Sequence, residues 1–272
     1  MPELPEVHTI LNDLAPRLQG LVFQEVTQCR PGTLNEPSTD ELARSLPGKR
    51  IEQLERRGKY LLLHLDSGQT LIFHLGMTGR LYLLGQAEPP DPYCTANFVL
   101  DDSSQLCFAD PRKFGHIWLV DDAASVVGKL GPDALDESVG ASELQDMLSL
   151  RRGTRIKAVL LDQSVLAGIG NIYADEALFE ARINAERAAG SLTPEEVAEL
   201  RRAILVVLRR GIENRGTTFS DYRDGFGRAG MNQQALAVFH RTGKPCPRCG
   251  TAIKRKSVAG RGTHYCPSCQ PL

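Results

Sequence analysis

Four cysteines near the C-terminus constrain the fold of this chain more than any other feature of its sequence. Cys246 and Cys249 form one C-x-x-C pair, Cys266 and Cys269 form a second, and sixteen residues separate the two pairs. This spacing is typical of a four-thiolate zinc site, in which each pair supplies one chelating turn around a tetrahedral Zn²⁺ ion. A closed shell of four thiolates leaves no position for water, so the predicted zinc is structural. Two separate redox pairs are the alternative interpretation.

The positive charge of the chain is concentrated in the same segment. The 272 residues carry a formal net charge of −1, but residues 241–272 contain seven Lys or Arg and no Asp or Glu, which leaves −8 on the remainder. A basic module of this kind is the electrostatic pattern of a nucleic-acid binder. Cys29, Cys94 and Cys107 are scattered through the first half, and the odd total of seven cysteines argues against a disulfide framework.

Composition and length exclude several classes of protein. With 42% hydrophobic and 24% charged residues, the chain is expected to be globular rather than disordered, collagenous or a coiled coil. Its 272 residues fit two or three domains. The sequence contains no run of 18 apolar residues and no basic-then-apolar leader, so we expect neither a membrane span nor secretion. The expected location is the cytoplasm.

The first part of the chain predicts a helix followed by an antiparallel β-sandwich. Apolar residues recur at helical spacing over 7–18, although Pro16 is expected to kink or end this helix. Between about residues 22 and 120, short β-rich runs alternate with Gly- and Pro-containing turns, which is typical of an antiparallel sandwich. These runs are 60–65, 70–75, 80–84, 97–100, 105–108 and 116–120.

The second part of the chain predicts helices. Thr193, Pro194 and Glu196 form a capping box that opens a long amphipathic helix. A second helix is predicted over 174–182, and segment 215–228 is expected to be a mobile loop. The fold class is therefore a multidomain α+β chain with a β-sandwich domain at 1–130, a helical domain at 131–240 and a zinc ribbon at 241–272.

Arg261 is a candidate phosphate ligand. It lies between Gly260 and Gly262, in the segment that joins the two cysteine pairs. An arginine at the tip of a two-stranded turn can approach a phosphate closely, and the basic residues 254–256 add to the positive field. A solvated basic turn is the alternative interpretation.

Pro2 is a candidate nucleophile. An initiator Met before Pro is commonly excised, which would expose the secondary amine of Pro2 beside the carboxylate of Glu3. A terminal amine titrates well below lysine, so a useful fraction is unprotonated near neutral pH and can form an iminium with a sugar C1′. The alternative is that Pro2 only marks the start of a helix.

Several motifs, taken together, resemble the bacterial formamidopyrimidine-DNA glycosylase family. They occur in the family's order and cover nearly the full length, so the resemblance is far more specific than any one motif. The motifs are MPELPEV at 1–7, RRGKY at 56–60, HLGMTG at 74–79, DPRKFG at 110–115, GIGNIYADEALF at 168–179, CPRCG at 246–250 and GRGTHYCPSCQ at 260–270.

The resemblance implies an enzyme of base excision repair. It implies a bifunctional DNA glycosylase and AP lyase that removes 8-oxoguanine and formamidopyrimidines from double-stranded DNA. Pro2 would attack C1′ of the damaged nucleotide with proton donation from Glu3, and Lys59 and Arg261 would assist the two elimination steps. It implies that the helical domain contains a helix-two-turns-helix element and a loop that caps the damaged base. It further implies one structural Zn²⁺ ion, no membrane partner, and a monomer in the bacterial cytoplasm at the nucleoid.

The resemblance also assigns DNA contacts. Met77, Arg112 and Phe114 match the residues that refill the duplex after the damaged nucleotide is flipped out, although Met77 and Phe114 could instead be core residues. The remaining contacts would hold the DNA backbone; they are Arg152, Lys157, Asn171 and Tyr93. For Lys157, the alternative interpretation is an ordinary surface lysine.

Two departures from the family pattern leave the substrate open. Residues 230–233 read Gly-Met-Asn-Gln where family members often carry an aromatic residue before Gln, and Tyr93 stands where many carry a DNA-contacting His. One alternative is therefore an endonuclease VIII-like activity on oxidised pyrimidines or abasic sites. The other is a non-enzymatic zinc-ribbon protein that binds damaged DNA.

Overall fold

The computed structural model describes residues 2–86 and 88–272. The chain divides into two compact units, the first comprising Met1–Lys129 and Ile212–Gln233 and the second comprising Leu130–Gly211 and Gln234–Leu272. Segment 212–233, predicted from the sequence to belong to the helical domain, is thus part of the N-terminal unit. The reason is a set of long-range hydrogen bonds to the first helix, which local sequence patterns do not encode.

The first helix, α1 (Leu4–Leu18), begins directly after Glu3. Glu3 and Glu6 form a capping box, in which the Glu6 carboxylate accepts a hydrogen bond from the Glu3 backbone N–H at 2.8 Å. The helix runs through Pro16 and ends two residues later, so the predicted stop at Pro16 is only approximately right. Proline removes one backbone hydrogen bond, and that loss is small one turn from the end of a helix.

The predicted antiparallel β-sandwich is confirmed. One sheet has the strand order β2-β9-β5-β4-β3 and the other β1-β7-β8-β6. Every pair is antiparallel except β2 with β9. The strands are β1 (Phe23–Cys29), β2 (Leu34–Glu36), β3 (Ile51–Arg57), β4 (Tyr60–Leu65), β5 (Thr70–His74), β6 (Arg80–Leu84), β7 (Cys94–Leu100), β8 (Gln105–Ala109) and β9 (His116–Val120). Two short helices, α2 (Thr39–Ser45) and α3 (Ala124–Val127), complete the segment.

Aromatic side chains fill the core between the two sheets. Phe73 of β5 lies with its ring centroid 6.1 Å from that of Phe98 in β7 and 5.9 Å from that of Phe108 in β8. Phe23 packs edge-on against Phe98 at 5.8 Å. All four rings are buried, and such edge-to-face pairs add to the free energy gained from burial.

The second unit is helical and carries a β-hairpin. The predicted capping box is present, because the Thr193 hydroxyl accepts from Glu196 N at 3.3 Å and the Glu196 carboxylate accepts from Thr193 N at 2.9 Å. The predicted helix at 174–182 begins three residues earlier, at Asn171. The elements are α4 (Ala141–Ser149), α5 (Ile156–Leu161), α6 (Asn171–Glu180), α7 (Pro194–Glu213), β10 (Lys254–Val258) and β11 (Arg261–Tyr265), of which α7 ends in the first unit. Among the described residues, no helix combines the length and apolarity that crossing a bilayer requires.

Candidate active site and nucleic-acid interface

The residues around the predicted nucleophile are buried at the start of α1. Pro2 is buried, and Glu3 and Glu6 are each 1% exposed. Beyond its bond to Glu3, the Glu6 carboxylate accepts the backbone N–H of Thr217 at 2.7 Å. The Tyr222 hydroxyl donates to the backbone carbonyl of Glu6 at 3.3 Å, and burial together with the Glu6 charge raises the Tyr222 pKa. Met1, whose removal is predicted, lies outside the described residues.

Carboxylates of the same unit anchor the segment predicted to be a mobile loop. The Arg215 guanidinium donates to Asp13 at 2.6 Å and to Asp224 at 2.5 Å. Asp224 in turn accepts the backbone N–H groups of Phe226 at 3.0 Å and Arg228 at 2.8 Å. The segment has no helix or strand over 215–228, but its backbone is held by charge-assisted hydrogen bonds.

Lys59 lies in the two-residue turn between β3 and β4, directly after Gly58, whose φ is +56°. Its side chain is half-buried. Burial, the positive charge of Lys59 and the neighbouring His116 lower the pKa of His74 to about 4. His74 is therefore neutral at physiological pH, mainly because it is buried.

Met77, Arg112 and Phe114 occupy two adjacent turns, which we call the insertion turns. Met77 is 40% exposed and Phe114 is 49% exposed, so the interpretation as core residues is wrong. The Arg112 guanidinium carbon lies 4.9 Å from the centroid of the Phe114 ring, a cation–π contact that preorganises both side chains. At Gly76, whose φ is +58°, an added Cβ would lie 2.4 Å from the Phe114 carbonyl oxygen, so only glycine permits this approach.

A buried carboxylate, Asp110, holds the insertion turns together. It accepts hydrogen bonds from the Thr78 hydroxyl at 2.5 Å, from Gly115 N at 2.7 Å and from Arg112 N at 3.2 Å. Its own N–H donates to the carbonyl of Tyr93 at 2.9 Å, and the Tyr93 side chain is 56% exposed. The role of Asp110 was not predicted from the sequence, although an Asp-Pro at the start of a turn is a signal for side-chain-to-backbone hydrogen bonds.

Three of the predicted phosphate ligands lie on exposed or half-exposed parts of the second unit. Arg261 is exposed and opens β11, directly after the turn at Gly260, whose φ is +72°. Asn171 begins α6 and donates to the Gly262 carbonyl at 3.0 Å, while its Oδ1 is buried and accepts no hydrogen bond from the described residues. Arg152 is exposed, and its backbone carbonyl accepts Gly190 N at 3.0 Å.

Lys157 does not fit the predicted phosphate contact or the alternative of a surface lysine. Its side chain is fully buried, and its ammonium donates to Asp175 at 2.6 Å, to the Thr263 hydroxyl at 2.8 Å and to the Gly262 carbonyl at 3.1 Å. Three donors of an ammonium are thus engaged within the protein. Asp175 also accepts His264 N at 2.8 Å. Lys157 therefore fixes the β10–β11 hairpin against α5 and α6, beside Arg261.

The four C-terminal cysteines converge as their spacing predicts. Their sulfur atoms all lie within 4.8 Å of one another. Arg248 N donates to Cys246 Sγ, and Cys269 N donates to Cys266 Sγ, each at 3.4 Å, so each C-x-x-C turn directs backbone N–H groups at a sulfur. Thiolates stabilised in this way suit Zn²⁺, and four of them close its tetrahedral shell.

Glu176, which was not predicted from the sequence, connects α6 to the chain that leads into the zinc ribbon. It is 1% exposed and accepts the consecutive backbone N–H groups of Ala237, Val238 and Phe239 at 2.8, 2.9 and 2.9 Å. Burial raises the Glu176 pKa, while these three hydrogen bonds oppose the shift. No periodic pattern in the sequence indicates such a long-range contact.

Comparison with known proteins places this architecture in one family. The family model of the formamidopyrimidine-DNA glycosylase N-terminal domain matches residues 1–117, that of the H2TH domain matches residues 130–223, and that of a zinc finger found in FPG and IleRS matches residues 243–272. The formamidopyrimidine-DNA glycosylase of Pelotomaculum thermopropionicum is 48% identical over the full length of both chains, and that of Desulforamulus reducens is 47% identical over 99% of both.

Solved structures agree with these matches. The MutM (FPG) protein of Thermus thermophilus is 41% identical, covers 99% of this chain and 98% of its own, and superposes with a TM-score of 0.88. The Lactococcus lactis Fpg in complex with DNA containing an abasic site is 33% identical, with a TM-score of 0.91 over 99% of this chain and all of its own.

The chain belongs to the formamidopyrimidine-DNA glycosylase family. It is a DNA glycosylase and AP lyase of base excision repair, with an N-terminal domain, an H2TH domain and a C-terminal zinc finger that binds one structural zinc ion. The non-enzymatic alternative is therefore wrong.

Proposed function

We propose that this enzyme removes oxidised purines, 8-oxoguanine and formamidopyrimidines, through a covalent bond between the Pro2 nitrogen and the deoxyribose. The observation that supports this most directly is the burial of Pro2 and Glu3 at the start of α1, in the unit that also presents the insertion turns. After removal of Met1, the Pro2 amine attacks C1′ of the flipped nucleotide. The C1′–N bond to the base breaks, and Glu3 donates a proton to the opening sugar.

The covalent intermediate then makes strand cleavage possible. The iminium at C1′ withdraws electrons and acidifies the C2′ proton, so loss of that proton expels the 3′ phosphate. A second elimination expels the 5′ phosphate and leaves a one-nucleotide gap. Lys59 and Arg261 stabilise the departing phosphates as cations, since a guanidinium is a poor proton donor near neutral pH.

The insertion turns refill the duplex once the damaged nucleotide has left it. Met77 and Phe114 present exposed apolar side chains suited to a base step, and Arg112 can donate hydrogen bonds to the orphaned partner base. Asp110 is the positioning residue for both turns. The exposed Tyr93 contacts the backbone of the same duplex.

Arg152, Asn171 and Arg261 bind phosphates on either side of the flipped nucleotide. Asn171 lies at the N-terminus of α6, where the helix dipole favours an anion, and its amide already contacts the hairpin that carries Arg261. Lys157 acts through this hairpin as a positioning residue, because its ammonium is buried.

Reductive trapping tests the proposal. Borohydride added during reaction with an 8-oxoguanine:cytosine duplex is expected to give a covalent protein–DNA adduct with the wild-type enzyme and a strongly reduced yield with Pro2→Gly. The matched control is Pro90→Gly, a substitution at an exposed position outside the site. An undiminished adduct in Pro2→Gly would overturn the assignment of the nucleophile.

A second candidate substrate class is oxidised pyrimidines or abasic sites. Met231 is 51% exposed and lies in segment 230–233, whose departure from the family pattern leaves the substrate class open. The Lactococcus lactis Fpg has been solved with DNA containing Fapy-dG as well as with an abasic site. The ratio of excision rates for 8-oxoguanine and thymine glycol, each placed opposite its usual partner in one duplex sequence, decides between the two classes.

We further propose that the enzyme acts as a monomer in the bacterial cytoplasm, at the nucleoid and without a membrane partner. Bacterial relatives along the full length and the basic C-terminal module support this proposal. Sedimentation equilibrium of the zinc-loaded protein with and without duplex is expected to give a single chain per duplex.

A further inference from the structure

Two cysteines that are unrelated to the zinc ribbon lie side by side in the four-stranded sheet. Cys94 opens β7, and Cys107 lies in the neighbouring strand β8. Their sulfur atoms are 3.1 Å apart. Cys107 is fully buried, and Cys94 is 8% exposed. The sheet therefore holds two thiols in direct contact, with an edge of one reaching solvent.

An irregularity in β7 brings these side chains together. Cys107 is directly opposite Asn97, so these two side chains share a face of the sheet. Cys94 is three residues before Asn97, and in a regular strand this odd step would put its side chain on the other face. The register shift between Cys94 and Ala96 returns Cys94 to the face of Cys107, as a β-bulge does.

The surroundings make the two sulfurs chemically unequal. The hydrogen bond between the two sulfurs lowers the pKa of the Cys107 thiol, and burial opposes this shift. The same hydrogen bond raises the pKa of Cys94. The Tyr82 hydroxyl lies 3.6 Å from Cys107 Sγ and provides a second polar contact. One sulfur favoured as a thiolate beside another that keeps its proton is the combination from which disulfides form.

We propose that Cys94 and Cys107 form an oxidation site, a dithiol that a peroxide-class oxidant converts reversibly into a disulfide. One thiolate attacks a peroxide oxygen, the O–O bond breaks, and the departing hydroxide takes a proton to become water. The second sulfur then displaces the sulfenic hydroxyl as the S–S bond forms, and the displaced hydroxide leaves as water with the second thiol proton. Two thiols and one hydrogen peroxide thus give one disulfide and two waters.

The geometry demands little movement for this reaction. A disulfide requires sulfurs about 2.05 Å apart, so the pair must close by about 1 Å, which side-chain rotation can supply. Cys29 provides the contrast, since it lies in β1 and burial raises its pKa to about 11, which disfavours its reactive thiolate. The inference does not depend on the DNA chemistry proposed above.

Peptide mapping of the full-length, zinc-loaded protein tests the proposal. The protein is treated with a slight excess of hydrogen peroxide, alkylated, and digested at aspartate, which cuts between the two cysteines at Asp101 and Asp102. We expect a linked peptide pair that is two hydrogens lighter than the sum of its parts and that separates after dithiothreitol. Zinc retention is followed in parallel with a chromogenic chelator.

The controls separate this site from the other cysteines. Cys29→Ser is expected to leave the yield of the linked peptides unchanged, whereas Cys94→Ser abolishes it. Full alkylation of Cys94 and Cys107 in the oxidised wild-type protein would overturn the proposal, as would a sulfinic acid without linkage. A link that appears only in protein that has released its zinc would also overturn it. Each of these overturning readouts is obtained on the wild-type chain, so the outcome does not depend on the folding of a variant.

Discussion

The Asp110→Asn substitution tests whether a buried carboxylate positions the insertion turns. The Asp110 carboxylate accepts the backbone N–H groups of Arg112 and Gly115 on different oxygens, together with the Thr78 hydroxyl. An asparagine of the same shape has one acceptor oxygen, so in either amide orientation one backbone N–H faces an NH₂ group and loses its partner. Leaving a buried donor unsatisfied costs about 1–3 kcal/mol. If this cost falls on the inserted state, excision from duplex DNA slows by roughly five- to 150-fold.

The assay separates positioning from general damage to the enzyme. Single-turnover excision of 8-oxoguanine from a duplex requires insertion, whereas cleavage of an abasic site in a single-stranded oligonucleotide does not require refilling of a duplex. We expect Asp110→Asn to lose the first activity and retain the second. Asp102→Asn is the matched control, because Asp102 is exposed and accepts a single backbone N–H, that of Ser104, at 2.9 Å. An equal loss of both activities in Asp110→Asn would refute the positioning role.

Four further outcomes are expected. Removal of zinc by a chelator abolishes duplex binding, because a small four-thiolate module folds only with its metal. The β-sandwich stays folded, so the fluorescence of Trp118 in β9, which is the sole tryptophan, does not change. Lys157→Met removes the ammonium that pairs with the buried Asp175 carboxylate and lowers the free energy of urea unfolding by about 3–5 kcal/mol, and adding Asp175→Asn recovers part of that loss. Arg261→Ala reduces the slope of log K against log salt for duplex binding by about one, whereas loss of a purely structural residue would leave the slope intact. His74 takes up a proton near pH 6.5 in the unfolded chain but only near pH 4 in the native protein. The free energy of unfolding is therefore expected to fall by up to about 3 kcal/mol as the pH drops from 6.5 to 4. In His74→Asn, this part of the decline is absent.

Features that depend on local sequence patterns were predicted well. The alternation of short β-rich runs predicted the strands from β4 to β9 closely, because period-two burial and turn residues are local properties. The capping box at Thr193 and the convergence of the four C-terminal cysteines followed from fixed spacings in the same way. The exposed position of Met77 and Phe114 agrees with the glycine-rich and charged residues that flank them.

Features that depend on distant partners were not predictable. The burial of Lys157 requires Asp175 and Thr263, which lie 18 and 106 residues further along the chain. Segment 212–233 belongs to the N-terminal unit because Arg215 reaches Asp13, 202 residues earlier. A basic side chain or a polar loop has the same local appearance whether it faces solvent or a carboxylate, so only the fold distinguishes the two.

In the proposed reaction, the first nitrogen of the mature chain becomes bonded to the sugar of the damaged nucleotide. Mass spectrometry of the borohydride-reduced adduct, after nuclease and protease digestion, locates the sugar remnant directly. We expect Met1 to be absent and the remnant to lie on Pro2. A remnant on Lys59, the rival amine in the proposed reaction, or a fully active enzyme that retains Met1, would contradict it.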